Sequence, residues 1–237
     1  FPTRRSSDLN STISANGYIQ GGKILIGNDA ANGSLPFSMV TSIDEYSSIT
    51  SAQQDPSLSN QHGGLIETSG ATLNLLSSIN AGRGGMWLLD PTNVTISTTS
   101  GSSTGTDPLL FTNQTNVSAT QIQDAINAGI SIQIIADGTI TQTANLSFSI
   151  ASGSSASLTL DNSSGTAQTL TLTGTTTNTG AGDLTLNYFS NGQIKINGAI
   201  NSTSTGKINV VARTSYASNN LTTCTSGACA SIYNSSS

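Results

Sequence analysis

Apolar–polar–apolar triplets dominate the second half of the chain: LSFSI, SLTL, TLTL, DLTL, QIKI and KINV follow one another from residue 145. Each triplet places two side chains on one face of a pleated strand. Their spacing is regular. Ile132/Ile134, Leu158/Leu160, Leu184/Leu186 and Ile208/Val210 recur at intervals of 26, 26 and 24 residues. Between them run Leu146/Phe148, Leu170/Leu172 and Ile194/Ile196, at intervals of 24 and 24. Two interleaved series of one period predict a repeating coil of about 25 residues, each coil adding strands to two or three parallel sheets. On this pattern Leu158, Leu184 and Ile208 occupy equivalent places, as do Leu146, Leu170 and Ile194. An antiparallel sandwich is the alternative, but it calls for hairpin turns of two to five residues and has no need of two phases.

The first half is less regular but also strand-rich. GKILIG (22–27), LIETSG (65–70), TLNLLSSI (72–79), NVTIS (93–97) and SIQII (131–135) are short, aliphatic and bounded by Gly, Asn and Ser. One segment departs from this. SATQIQDAINAGI (118–130) predicts a short helix near 120–128. Thr120 and Gln123 have capping-box spacing, Gly129 is placed to end the helix, and Ile122 and Ile126 share a face. The Ser/Thr/Gly-rich run ahead of it makes 98–117 a boundary loop. The predicted organisation is then 10–97 as one β-helical segment and 118–237 as a second that continues the same solenoid.

Composition narrows the function. About three in ten residues are Ser or Thr, only 8% are charged, and the net charge is −5 with a pI near 4.4. Seven scattered basic residues do not make a nucleic-acid surface, which needs clustered Lys and Arg. No apolar run reaches the roughly 18–20 residues of a membrane span. The N-terminal FPTRRSSDL carries two of the seven basic residues and resembles the translation of a sequencing-library adapter. Residues 1–9 are therefore expected to be foreign to the protein, which is expected to be an internal fragment.

The stretch GGLIETSGATLNLLSSINAGRGGMWLLDPTNVTIS (63–97), with GGKILIGND (21–29) before it, resembles the large exoproteins of the filamentous-hemagglutinin-like class. IQDAINAGISIQI (122–134) is similar to the segment that follows in that family, whereas residues 30–62 depart from it as an insertion-like loop. The resemblance implies a right-handed parallel β-helix, the hand that parallel crossovers almost always take. It implies that Trp87, Leu88 and Leu89 form the core of one rung, with Asp90 and Pro91 turning the corner. It also implies a secreted or cell-surface bacterial adhesin of two-partner-secretion type. Such a protein passes an outer-membrane transporter and contacts a glycan or protein of host or neighbouring cells.

Parallel β-helices also include polysaccharide lyases and hydrolases, which need paired carboxylates or a Ca²⁺ site with a basic residue nearby. Here Asp44, Glu45, Glu67, Asp90, Asp107, Asp124, Asp137, Asp161 and Asp183 are dispersed, and turn capping is their expected role. His62 has no ligand-spaced partner, and the Gly pairs 21–22, 63–64 and 84–85 read as tight turns. The expectation is no catalytic residue, no cofactor and no metal. Cys224 and Cys229 match neither redox nor zinc spacing. In an exported chain they are expected as a disulfide, with two free thiols as the alternative. Sequons at Asn93, Asn113 and Asn145 are glycosylation candidates by the same resemblance. Beside the adhesin stand two other readings: a stalk carrying a contact-dependent toxin, and a polysaccharide-active enzyme.

Overall fold

The computed structural model describes residues 11–28, 37–55, 57–58, 62–98 and 114–214, and the backbone of 220–221 and 229–234. Residues 1–9, expected to be foreign, lie outside them. The described strands all pair in parallel. This is an all-β parallel fold, and no antiparallel hairpin joins the triplets.

The chain lays its strands down in passes. After β1 (Thr12–Ser14), the first pass runs through β2 (Lys23–Ile26), β3 (Val40–Ile43) and β4 (Ser48–Thr50). The second runs through β5 (Leu65–Ser69), β6 (Thr72–Leu75) and β7 (Ser78–Asn80). The third holds β8 (Met86–Asp90), β9 (Val94–Ser97), β10 (Thr115–Ser118) and the helix α1 (Ala119–Asn127). The fourth is β11 (Ser131–Ile135), β12 (Ile140–Gln142) and β13 (Leu146–Phe148). Then come β14 (Ser155–Asn162), β15 (Leu170–Leu172) and β16 (Thr176–Asn178), followed by β17 (Asp183–Ser190), β18 (Ile194–Ile196) and β19 (Ile200–Ser202). The last strands are β20 (Ile208–Thr214), β21 (Asn220–Leu221) and β22 (Cys229–Asn234).

First strands of successive passes stack into one eight-stranded sheet, β2-β5-β8-β11-β14-β17-β20-β22. Second strands make the pair β3-β6 and the sheet β10-β9-β12-β15-β18-β21, while third strands make β1-β4-β7 and β13-β16-β19. The core lies between these faces. One inward row of the large sheet is Ile24, Ile66, Trp87, Ile132, Leu158, Leu186 and Val210. Trp87 thus stacks between Ile66 and Ile132, and its indole Nε1 donates to Thr68 Oγ1 at 3.1 Å. A lone tryptophan is kept dry here because it has both an aliphatic stack and a polar partner. Leu89 points inward as expected, but Leu88, one residue along, faces the other side of the sheet.

Two expected registers are corrected. Leu158 pairs with Leu186 and not with Leu184, whose partner is Ala156. The true interval there is 28 residues, because the turn from β14 to β15 is longer than the turn from β17 to β18. Leu184 and Ile208 do pair, as do Leu170 and Ile194. Leu146, however, pairs with Thr176 and begins the third sheet, and the true predecessor of Leu170 is Ile140. Two regions read as loops contain strands: β3 and β4 fall within 30–62, and β10 begins within 98–117 and ends one residue past it.

The Ser/Thr/Asn-rich composition has its explanation at the turns between sheets. A backbone that turns a corner leaves amides without ladder partners, and short polar side chains supply them. Asn93 Oδ1 accepts from Thr139 N at 2.8 Å, Asn145 Oδ1 from Thr175 N at 2.8 Å, and Asp183 Oδ1 from Lys207 N at 2.9 Å. In each case the side chain of one pass pins the next. Glycine serves where even a methyl group would not fit: a Cβ on Gly64 would lie 2.0 Å from Ser51 Oγ.

Candidate functional site

The regular stacking is broken once among the described residues, where α1 stands between β7 and β13 in place of a third-sheet strand. Sequence dictates this locally. Ser118, not Thr120, is the N-cap: its hydroxyl accepts from Thr120 N at 3.2 Å. At the other end Gly129 (φ +79°) takes the left-handed conformation. Its N–H reaches Ile126 O and that of Ile130 reaches Ala125 O, a double closure that ends the helix after one more residue. Ile122 and Ile126 are fully buried, as their spacing required.

A helix cannot continue a β-ladder through its backbone, so its amide side chains do so. Gln123 Oε1 accepts from Ser147 N and Asn127 Oδ1 accepts from Ser149 N, both at 2.6 Å. Residues four apart on a helix rise about 6 Å, close to the separation of residues two apart on a strand. That match lets two side chains cap alternate amides, one in β13 and one just past its end. On the other flank Gln121 Nε2 donates to Leu75 O at 3.0 Å and Ser77 O at 3.2 Å. Further back Thr115 Oγ1 accepts from Leu73 N at 2.9 Å. The odd-numbered backbone groups from Leu73 to Ser77 thus all turn toward β10 and α1.

The next in that series is Ile79. Asn80 faces β4, since its carbonyl accepts from Ser51 N. Alternation in a parallel ladder then turns the N–H and C=O of Ile79 toward α1. Here strand and helix part to form a cleft of about 240 Å³, lined by Ser77, Ser78, Ile79 and Asn80 on one side and by Gln121, Asp124, Ala125 and Ala128 on the other. Trp87 and Ile130 meet it from the core. Ser77 Oγ and Gln121 Oε1 are buried in its wall and have no hydrogen-bond partner. Asn80 Oδ1 is committed to Gly82 N at 2.9 Å, which leaves its Nδ2 as a donor. Asp124 stands exposed at the rim.

The residues singled out from the sequence fall elsewhere, Asp124 excepted. Asp44 accepts from Tyr46 N and Ser47 Oγ, and Asp161 from the N–H and hydroxyl of Ser163, so both cap their own turns. Glu67 is buried and accepts from Ser69 Oγ at 2.8 Å. Asp90 does not cap its turn through its carboxylate, which accepts from Asn28 Nδ2 at 3.2 Å. Burial pushes the Asp90 carboxyl up to about 6 against that hydrogen bond, and the charges of Asp137 and Glu67 add to the rise. His62 lies in the turn before β5, its carbonyl accepting from Gly21 N at 2.9 Å. Among the described residues no three His, Cys, Asp or Glu side chains gather as metal ligands. No described helix is long and apolar enough to cross a membrane. The expected Cys224–Cys229 bridge lies outside the described residues, as do Asp107 and Asn113; of Cys229 only the backbone, opening β22, is described.

Sequence reading missed the cleft because its two walls are some 40 residues apart in the chain and its one rare side chain, Trp87, reads as core. The one available signal was Ser118-x-x-Gln121, a capping-box pattern whose glutamine is drawn off to the neighbouring strand. Compared with protein-family models, with curated proteins and with solved structures, the chain finds no match.

Proposed function

We propose that this chain is a non-enzymatic shaft and binding segment of a secreted or surface-exposed bacterial adhesin, wound as a right-handed parallel β-helix. The observation that carries the reading is the stack itself. Seven strands of the large parallel sheet contribute to one inward row, aliphatic except for Trp87, and each added pass lengthens the body while leaving its cross-section unchanged. Such a rod holds a contact surface away from the cell that displays it. Its sparsely charged Ser/Thr/Asn exterior suits export and exposure, and the carboxylates of Asp44 and Asp161 cap their own turns. On this reading the partner is a glycan or protein of a host or neighbouring cell, reached after passage through an outer-membrane transporter.

The stretch from β14 to β20 supports a second reading, since uniform passes of this kind also serve as a plain stalk for a toxin. Fluorescent beads coated with the purified chain separate the two. Saturable adherence to epithelial or bacterial cells, competed by free chain, is the adhesin outcome. Beads that adhere no better than albumin-coated controls leave the stalk. Depolymerisation of a polysaccharide by the chain overturns both.

A further inference from the structure

We infer that the chain hydrolyses its own backbone at Asp90–Pro91, with the Asp90 carboxyl as the attacking group. The sequence holds three Asp–Pro bonds, at 55–56, 90–91 and 107–108, the last of them outside the described residues. An aspartyl carboxyl reaches its own peptide carbonyl through a five-membered ring, so the attack is intramolecular. Proline suits the leaving side, because its tertiary amide nitrogen is more basic than that of an ordinary peptide. The step balances without a further reactant except water. A carboxyl oxygen adds to the Asp90 carbonyl carbon while the carboxyl proton passes to the Pro91 nitrogen. The C–N bond breaks, leaving a cyclic anhydride on Asp90 and a free amine on Pro91. One water then opens the anhydride to two carboxyls. The reacting form is the neutral acid, which an ordinary aspartate holds only below about pH 4.

The corner between β8 and β9 is built to hold that form. Gly70 N donates to Asp90 O at 3.1 Å, which sets a backbone donor on the oxygen that gathers charge during attack. Beyond the bond, Thr92 N donates to Ala71 O at 3.4 Å, so both sides are tied to the same neighbouring corner. Asp90 is half-buried, which keeps the carboxyl from full solvation yet leaves water for the second step. Its burial is the main cause that keeps the proton on up to about 6, against the bond from Asn28 Nδ2 at 3.2 Å. The charged groups acting on it among the described residues are Asp137, from the turn after β11, and Glu67, from β5; both are acidic and add to the rise.

Asp55–Pro56 supplies the contrast within the same chain. Asp55 accepts from Ser57 Oγ at 2.6 Å and Ser57 N at 2.9 Å. These bonds favour its ionised form and hold the carboxyl below its ordinary range. At pH 5 a group titrating near 6 is about nine-tenths neutral, whereas one near 3.8 is about one-twentieth neutral. The two bonds should therefore differ in rate at least ten-fold.

The test is a time course of the purified full chain at pH 5, read by mass spectrometry under denaturing conditions. Denaturation is needed because the pieces stay stacked through the β8–β11 ladder and the bonds of Gln121 to Leu75 and Ser77. Fragments 1–90 and 91–237 should accumulate at a rate independent of protein concentration. That rate should be half-maximal near pH 6 and at least ten-fold above that at Asp55–Pro56. In urea the Asp90 carboxyl returns to ordinary titration, and cleavage at pH 5 should slow at least ten-fold. Asp90→Asn should abolish the cut at that pH. The inference is overturned by a chain that stays intact, by equal cleavage at Asp55–Pro56, or by equal cleavage in urea. Fragments that persist in Asp90→Asn overturn it too, since they assign the cut to a protease.

Discussion

Tyr188 shows what a single residue contributes to this interior. It stands in the second inward row of the large sheet, between Leu160 and Ala212, and is fully buried. Its hydroxyl has no hydrogen-bond partner, and burial raises its phenol well above the usual range. The ring fills space that Ala212 leaves, while the oxygen only adds a desolvation cost. Tyr188→Phe should therefore stabilise the fold by about 1 kcal/mol, seen as a higher urea midpoint at unchanged slope. A lower midpoint would mean that the hydroxyl has a partner after all. Asp90 gives the matching prediction for charge. Its carboxyl titrates near 6 in the folded chain against an ordinary 3.8. Between those values the native state holds a proton that the unfolded chain has released, so stability falls as pH rises from about 4 to about 6. Asp90→Asn keeps an acceptor for Asn28 and removes the titration. Denaturation midpoints across this window should slope downward in the parent and lose that component in the variant; identical slopes would contradict the assignment.

At the scale of elements, the alternation of faces makes neighbouring residues unequal. Leu172 is buried in β15 between Gln142 and Ile196, whereas Thr171 faces outward between Thr141 and Lys195. Leu172→Asp places an unpaired charge inside the stack and should cost more than about 4 kcal/mol or abolish folding. Thr171→Asp lands beside Lys195 and should stay within about 0.5 kcal/mol of the parent. Circular dichroism and thermal melts of the pair read this directly, and comparable losses in both would remove the inward–outward assignment. The helix makes its own prediction. Gln123→Ala uncaps the Ser147 amide of β13 and Asn127→Ala the Ser149 amide just past it, and each should cost about 1 kcal/mol in thermal melts.

These elements also mark what the sequence made legible. Triplets with two aliphatic members, such as Leu170/Leu172 and Ile194/Ile196, revealed strands and period because burial demands them. Triplets with polar inward members did not. Ile140–Gln142 escaped because Gln142 is buried only by virtue of its bonds to Ala144 O and Thr176 Oγ1. Thr176–Asn178 escaped because Asn178 spends its amide on the turn carbonyl of Gly182. The slip from Leu184 to Leu186 opposite Leu158 has a different cause. Corner length carries no hydrophobic signal, so a longer turn shifts the register without trace.

For the molecule as a whole, the repeat was legible because it is a property of the core, and the cleft was not because it is a property of an interruption. β10 and α1 enter where strands would otherwise stack, and the cost of that break is met by Gln121, Gln123 and Asn127. All of this depends on one claim, that successive passes run parallel with Leu158 opposite Leu186. Spin labels test it most directly, on a background in which Cys224 and Cys229 are replaced by serine. The outward pairs Ser157/Thr185 and Thr159/Asn187 are register partners on β14 and β17, so their Cα atoms lie about 4.8 Å apart. Cysteine introduced at either pair and labelled should give strong dipolar broadening in both. In an antiparallel arrangement that brings the first pair together, the second is held about 13 Å apart along the strand. Broadening much weaker in one pair than in the other would contradict the parallel stack.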